Sequence, residues 1–217
     1  VGGKGLSDVR GVSSENIVAL CDVDLNKGKG AFEAFPGAKR YKDFRRMLME
    51  MDDQIDAVTI STPDHMHFPA AMMAVKMGKH VFVQKPMTHT IEEARALTEA
   101  ARKHQVATHM GIQGHSMDGI RRMREWNAVQ AIGEVEEVHI WTNRPIWPQG
   151  DRPLAPAQPV PESLDYNLWQ GVAPERPYNR AHGHFAWRGW WDYGCGALGD
   201  IGCHAMDSAF DVLKLGN

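Results

Sequence analysis

Val1-Gly2-Gly3-Lys4-Gly5 opens a helical pattern, and Asn16-Ile17-Val18-Ala19-Leu20-Cys21-Asp22 follows as a short apolar run that ends in an acid. Glycines at a strand-to-helix turn let a backbone approach a pyrophosphate at the helix N-terminus. An acid about 20 residues on, closing the next strand, can accept hydrogen bonds from an adenosine ribose. Gly2 and Gly5 fit the second and third glycines of G-x-G-x-x-G, with Gly3 beside them, and Asp22 fits the acid. A glycine cluster alone is commonly a plain turn; the acid at this distance after a credible strand makes the pattern specific. Val23 is not basic, and the Asp22 carboxylate would repel a 2′-phosphate, so NAD is expected over NADP.

Beyond this loop the chain alternates short β-branched or apolar runs with longer helical patterns. Ile55–Thr62, His80–Val83 and Val106–Gly111 read as further strands, with helices expected at about 25–34, 43–51, 67–78 and 91–104. This alternation implies βαβ units: an α/β, Rossmann-type, doubly wound parallel sheet over residues 1–114. The 91–104 helix is the clearest, with Thr90 as N-cap, Glu92 and Glu93 in its first turn and Arg102 and Lys103 in its last. After Gly114 the texture changes, and residues 115–217 read as the start of an α+β substrate domain. A helical stretch carries Ile120, Met123 and Val129, and the alternating Glu134–Trp141 reads as a strand with one wet face. Eight prolines between Pro145 and Pro177 exclude regular structure there, and a last helix is expected over about 200–215.

Composition narrows the partners. The 217 residues carry a net charge of -3, which offers no electrostatic footprint for nucleic acid or an anionic membrane. No apolar run approaches the ~18 residues of a membrane span, so a small-molecule partner is expected. Three cysteines form no paired framework and are expected to be reduced, structural thiols. A cytoplasmic location is the expectation, with export left open because any leader would lie upstream of Val1.

Lys85, after the His80–Val83 strand, stands where parallel sheets bind ligands, and Pro86 fixes the backbone beside it. A partly desolvated lysine can exchange a proton with a substrate hydroxyl. Asp200 and His204, four apart in a glycine-rich helix, share a face that can orient a hydroxyl and move its proton. Arg188 and Trp187, in Trp187-Arg188-Gly189-Trp190-Trp191, are candidate substrate contacts, the arginine polar and the aromatic flat enough to pack on a sugar ring. The pairs His182/His184, His65/His67 and Cys203/His204 lack a second pair at zinc spacing, so no metal is expected.

Gly78-Lys79-His80-Val81-Phe82-Val83-Gln84-Lys85-Pro86-Met87 resembles the Glu-Lys-Pro segment of the Gfo/Idh/MocA oxidoreductases, with Gln84 where that family usually has Glu. Asp22-Val23-Asp24, Ser61–His67, Gly111-Ile112-Gln113 and Asp200-Ile201-Gly202-Cys203-His204 extend the resemblance along essentially the whole chain. It implies Lys85, Asp200 and His204 as the catalytic group. It also implies a cofactor site of Gly2, Gly3, Gly5, Asp22, Ser61, Thr62, Pro63, His67, Gln84, Lys85 and Gln113. Whether Lys85 or His204 is the principal base varies in that family. The implied reaction is hydride transfer between NAD and a secondary alcohol of a sugar, cyclitol or polyol. A redox-neutral glycoside-cleaving enzyme and a non-catalytic NAD- and sugar-binding relative remain alternatives.

The resemblance also implies association of copies through a second-domain sheet. Against its pattern, the chain reads as a fragment that starts after the first, central Rossmann strand and stops before most of that sheet. The Asp22 and Ile55–Thr62 strands are therefore expected to face each other across a gap with unpaired edges. Alone, the piece is expected to fold poorly and bind NAD weakly.

Overall fold

The computed structural model describes residues 1–149, 153 and 155–216. Helix α1 (Lys4–Gly11) leads to strand β1 (Ala19–Cys21), then α2 (Leu25–Ala34), β2 (Lys39–Tyr41), α3 (Phe44–Glu50) and β3 (Ala57–Ile60). Next come α4 (His67–Lys76), β4 (His80–Gln84), α5 (Ile91–His104), β5 (Thr108–Gly111) and α6 (Asp118–Ala128). All strand pairs are parallel: β1 with β2, and β3 with β4 with β5. The two groups form separate sheets, so β1 and β3 each keep an edge unpaired by any described strand. Residues of both strands line one cavity of about 1210 Å³ that continues to the glycine loop.

Helix α4 turns a face of small residues to the sheet. Ala70, Ala71, Ala74 and Val75 are buried with Val81, Val83, Leu97, Leu48 and Ile60 in the main core. Each fully buried Val or Leu contributes about 1.5–3 kcal/mol, so this layer holds Lys85 at the end of β4. Gly78, at φ 76, makes the left-handed turn between α4 and β4 that a side chain would strain.

Thr90 caps α5 as expected and does so reciprocally. Its hydroxyl accepts from the Glu93 N–H at 3.2 Å, and the Glu93 carboxylate accepts from the Thr90 N–H at 3.0 Å. Thr90→Ala is expected to cost about 0.5–2 kcal/mol, read as a lower urea midpoint with an unchanged slope.

One strand was not anticipated and one expectation is corrected. Strand β2 carried no apolar signature, because Lys39 and Arg40 are exposed; it forms because β1 offers backbone partners on that side. Conversely, the 134–141 segment is irregular, with Val138, Ile140 and Trp141 exposed. Alternation supplies a face but no hydrogen bonds, and no described strand lies beside it to pair its backbone. The proline-rich excursion is irregular apart from α7 (Tyr166–Gln170), with residues 150–152 and 154 outside those described. The last helix, α8, spans Cys203–Leu213 and is preceded by a π-helical turn over Leu198–Gly202. No helix among the described residues is long and apolar enough to cross a membrane.

Candidate active site

Gly3, at φ 55, is the N-cap of α1, and no side chain caps that end. Such a helix start is suited to an anion. A Cβ at Gly2 would stand 2.9 Å from both Cβ and the carbonyl oxygen of Lys27, so glycine alone lets the loop pass α2 this closely. The Asp22 carboxylate accepts from the Gly2 N–H at 2.7 Å and the Asp24 N–H at 2.9 Å, which ties the strand end to the loop. A carboxylate has about four acceptor sites, so capacity remains for a ribose hydroxyl. The cavity is lined by Gly2, Gly3, Gly5, Asp22, Ser61, Thr62, Pro63, Gln84, Lys85 and Gln113 at once, and also by Arg188, Asp200 and His204. The uncapped helix start and the Asp22 carboxylate fit the pyrophosphate and ribose of a dinucleotide, while part of the cavity's volume is the gap between β1 and β3.

Asp8 sits among these residues and sequence reasoning missed it. Its Oδ2 accepts from the Ser61 hydroxyl at 2.6 Å and the Gln84 amide at 3.0 Å, while Lys4 pairs with its Oδ1. One carboxylate on α1 thereby joins the ends of β3 and β4. A Cβ at Gly111 would come within 2.8 Å of the Gln84 amide nitrogen, so glycine at that position leaves the space the Gln84 side chain occupies. A glutamate at position 84 would set its carboxylate against that of Asp8. Gln84→Glu is therefore expected to destabilise the fold by about 1–3 kcal/mol, and adding Asp8→Asn should restore most of it. Urea unfolding of both singles and the double measures this coupling; additive costs would show that the two side chains act independently.

The catalytic candidates Lys85, Asp200 and His204 line the same cavity. The Lys85 ammonium donates to Asp200 Oδ1 and to the Asp200 carbonyl, each at 2.6 Å. Arg188 Nε donates to the same Oδ1 at 3.0 Å. Burial opposes ionisation of Asp200, but the hydrogen bonds and charges of Lys85 and Arg188 outweigh it and hold its carboxyl below the usual value. Gly199 lets the turn that carries Asp200 pass close to Cys195: a Cβ there would lie 2.2 Å from Cys195 Cβ. Asp200 lies in the π-helical turn and His204 in α8, so they sit on a wider spiral than the expected α-helix gives them. His204 remains exposed to the cavity, and partial burial, then the Lys85 charge, lower its basicity.

His67 is corrected from a cofactor contact to an anchor. It is 1% exposed, with Nδ1 2.6 Å from the Pro86 carbonyl and Nε2 2.9 Å from that of Thr62, so neither ring nitrogen is left to meet a ligand. Trp187 is mostly packing: it is buried with Trp169 and Tyr193, and Arg188 lies over its ring at 4.3 Å. His65 and Asp64, which sequence reasoning quoted without assigning a role, fasten the loop after β3 to later chain. His65 Nε2 meets the Trp169 carbonyl at 3.0 Å, and Asp64 accepts from the Cys195 N–H at 3.0 Å. The cysteines are free, and burial pushes the Cys21 and Cys195 thiols up to about 12, which suits the structural role expected of them.

Two family models match. One, described as the oxidoreductase family NAD-binding Rossmann fold, covers residues 5–112, and the other, described as that family's C-terminal alpha/beta domain, covers residues 133–215. D-glucoside 3-dehydrogenase of Escherichia coli is 32% identical over 40% of this chain and 24% of its own length. D-apiose dehydrogenase of Paraburkholderia graminis is 33% identical over 43% of this chain and 24% of its own. An oxidoreductase domain protein from Kribbella flavida aligns over 92% of this chain and 45% of its own at 25% identity, with a TM-score of 0.61. The matched chain thus spans about a quarter of the length of these curated relatives.

Proposed function

The chain belongs to the Gfo/Idh/MocA oxidoreductase family, and on that premise we propose that it serves an NAD-dependent dehydrogenase acting on a secondary alcohol of a sugar, cyclitol or related polyol. Residues 1–114 form the cofactor domain in this reading, and residues 115–217 begin the substrate domain. The carrying observation is the Lys85–Asp200 ion pair, which lines the same cavity as the glycine loop. The relatives named as glucoside and apiose dehydrogenases support a sugar-like substrate.

Bound NAD would supply the hydride acceptor. The chain's own part is to bind, to orient and to manage one proton. Gly2, Gly3 and the start of α1 receive the pyrophosphate, and Asp22 takes the adenosine ribose while disfavouring a 2′-phosphate. Lys85 and His204 face the hydroxyl; Asp200 fixes the lysine, and one of the two bases accepts the hydroxyl proton as the carbon is oxidised. The π-helical turn sets Asp200 and His204 toward one cavity, and the buried His67 keeps Pro86, and hence Lys85, in place.

The test is NADH absorbance over a panel of sugars and polyols, using protein expressed with all of its native flanking coding sequence. Net NADH is the expected result. Substrate consumption without NADH would favour the redox-neutral glycoside-cleaving reading, and NAD binding without turnover would favour a sensor.

A further inference from the structure

The geometry points to an anionic substrate, a sugar acid or sugar phosphate, whose charged group is received by Arg188 beside the Lys85–Asp200 pair. The inference rests on the dehydrogenase reading above and specifies its substrate class.

Arg188 is more than a brace for Asp200. A guanidinium carries five N–H donors. One is used on Asp200 Oδ1 at 3.0 Å and one, from Nη1, on the Phe185 carbonyl at 3.3 Å. The Nη2 donors have no protein acceptor among the described residues, and the side chain, 24% exposed, lines the cavity. Its guanidinium carbon lies 4.3 Å over the Trp187 ring and 4.8 Å over that of Phe185, which steadies the group. Its backbone is held too: a Cβ at Gly194 would fall 2.7 Å from Arg188 Cα, so the glycine lets the two segments touch. A fork fixed in this way binds a planar or tetrahedral oxyanion with little entropy left to lose.

Asp200 is shared by Lys85 and Arg188, and Asp64, 3% exposed and accepting from the Cys195 N–H, adds a second carboxylate within the field of both cations. The unused Nη2 donors of the fixed guanidinium, rather than net charge, are therefore what favours an anion. The cofactor pyrophosphate is the rival anion, and the start of α1 provides for it.

The experiment measures binding to the NAD-saturated protein, expressed with its native flanking sequence, by calorimetry. Galactose is paired with galacturonate and glucose with glucose 6-phosphate, at two salt concentrations. At least one anion should bind 10-fold or more tighter than its neutral partner, with a preference that shrinks as salt rises; which one does so distinguishes carboxylate from phosphate. Arg188→Met should abolish the preference and leave NAD affinity unchanged. Equal binding within both pairs, or an Arg188→Met effect on NAD rather than on sugar discrimination, overturns the proposal. If the variant does not fold, the wild-type preference and its salt dependence decide alone. Anion preference without NADH production would overturn the dehydrogenase reading and leave the anion site, so the two failures are distinct.

Discussion

Replacing Lys85 by methionine, in protein carrying all of its native coding sequence, is expected to lower kcat/KM by about 10²–10⁴-fold, the range of a lost general acid–base group. NAD affinity should change far less, because in the proposed reading the glycine loop and Asp22 receive the other end of the cofactor. The fall should appear mainly in kcat, since the lysine's largest effect belongs to the proton transfer rather than to uniform binding. Asp200→Asn should reach a similar loss by another route: it removes the carboxylate that Lys85 and Arg188 share and leaves two cations facing each other. Because the three side chains act through one oxygen, Lys85→Met and Asp200→Asn together should cost little more than either alone. His204→Asn separates the two candidate bases: if the histidine is principal, its loss equals that of Lys85→Met and the pH profile loses its lower limb. Steady-state kinetics on the best substrate of the panel reads all four proteins. Retention of wild-type kcat/KM within about threefold by Lys85→Met would remove the lysine from the chemistry.

The residues in that prediction were legible because the chemistry marks them. A lysine after a parallel strand, and an acid and a histidine four apart among glycines, stand out in a linear reading, and the fold brings Lys85 and Asp200 together across 115 residues. Helix α5 was legible to its ends because its caps are local. What failed to show depends on partners distant in sequence. Asp8 looks like any surface acid on a helix, and only the fold sets it against Ser61 and Gln84, 53 and 76 residues away. Once Asp8 is in view, Gln84 no longer looks like a loss: the amide donates to a carboxylate that a glutamate would repel. His67 failed for the opposite reason, since a histidine contacting a cofactor and one buried between two carbonyls look alike in sequence. The 134–141 segment shows that period-2 alternation reports a face, while a strand also requires a neighbour's backbone.

His65 carries the largest pH effect expected of stability. It is 1% exposed, and burial pulls its pKa from 6.5 to about 4, against the favourable pull of the Trp169 and Tyr193 carbonyls on its charged form. An unfolded histidine takes up a proton as pH falls below about 6.5, whereas this one resists until about 4. The folded pKa is depressed, so the stability is present above about 6.5 and is lost as pH falls through the interval to about 4. The difference is worth about 3 kcal/mol, on the order of 10 °C in the melting midpoint of a domain this size. Buried His67 shifts in the same direction and steepens the fall, while the raised carboxyl of Asp64 works against it. Asp200 shifts downward and therefore contributes only at more acid pH, near and below the ordinary carboxylate range around 4. The two windows separate the histidines from Asp200. Thermal melts from pH 7.5 to 4.5 should show the fall, and His65→Gln, whose amide can still donate to the Trp169 carbonyl without titrating, should flatten it. A midpoint constant between pH 7 and 5 in the wild type, or an unaltered slope in His65→Gln, would show that the ring is not held neutral between the two carbonyls.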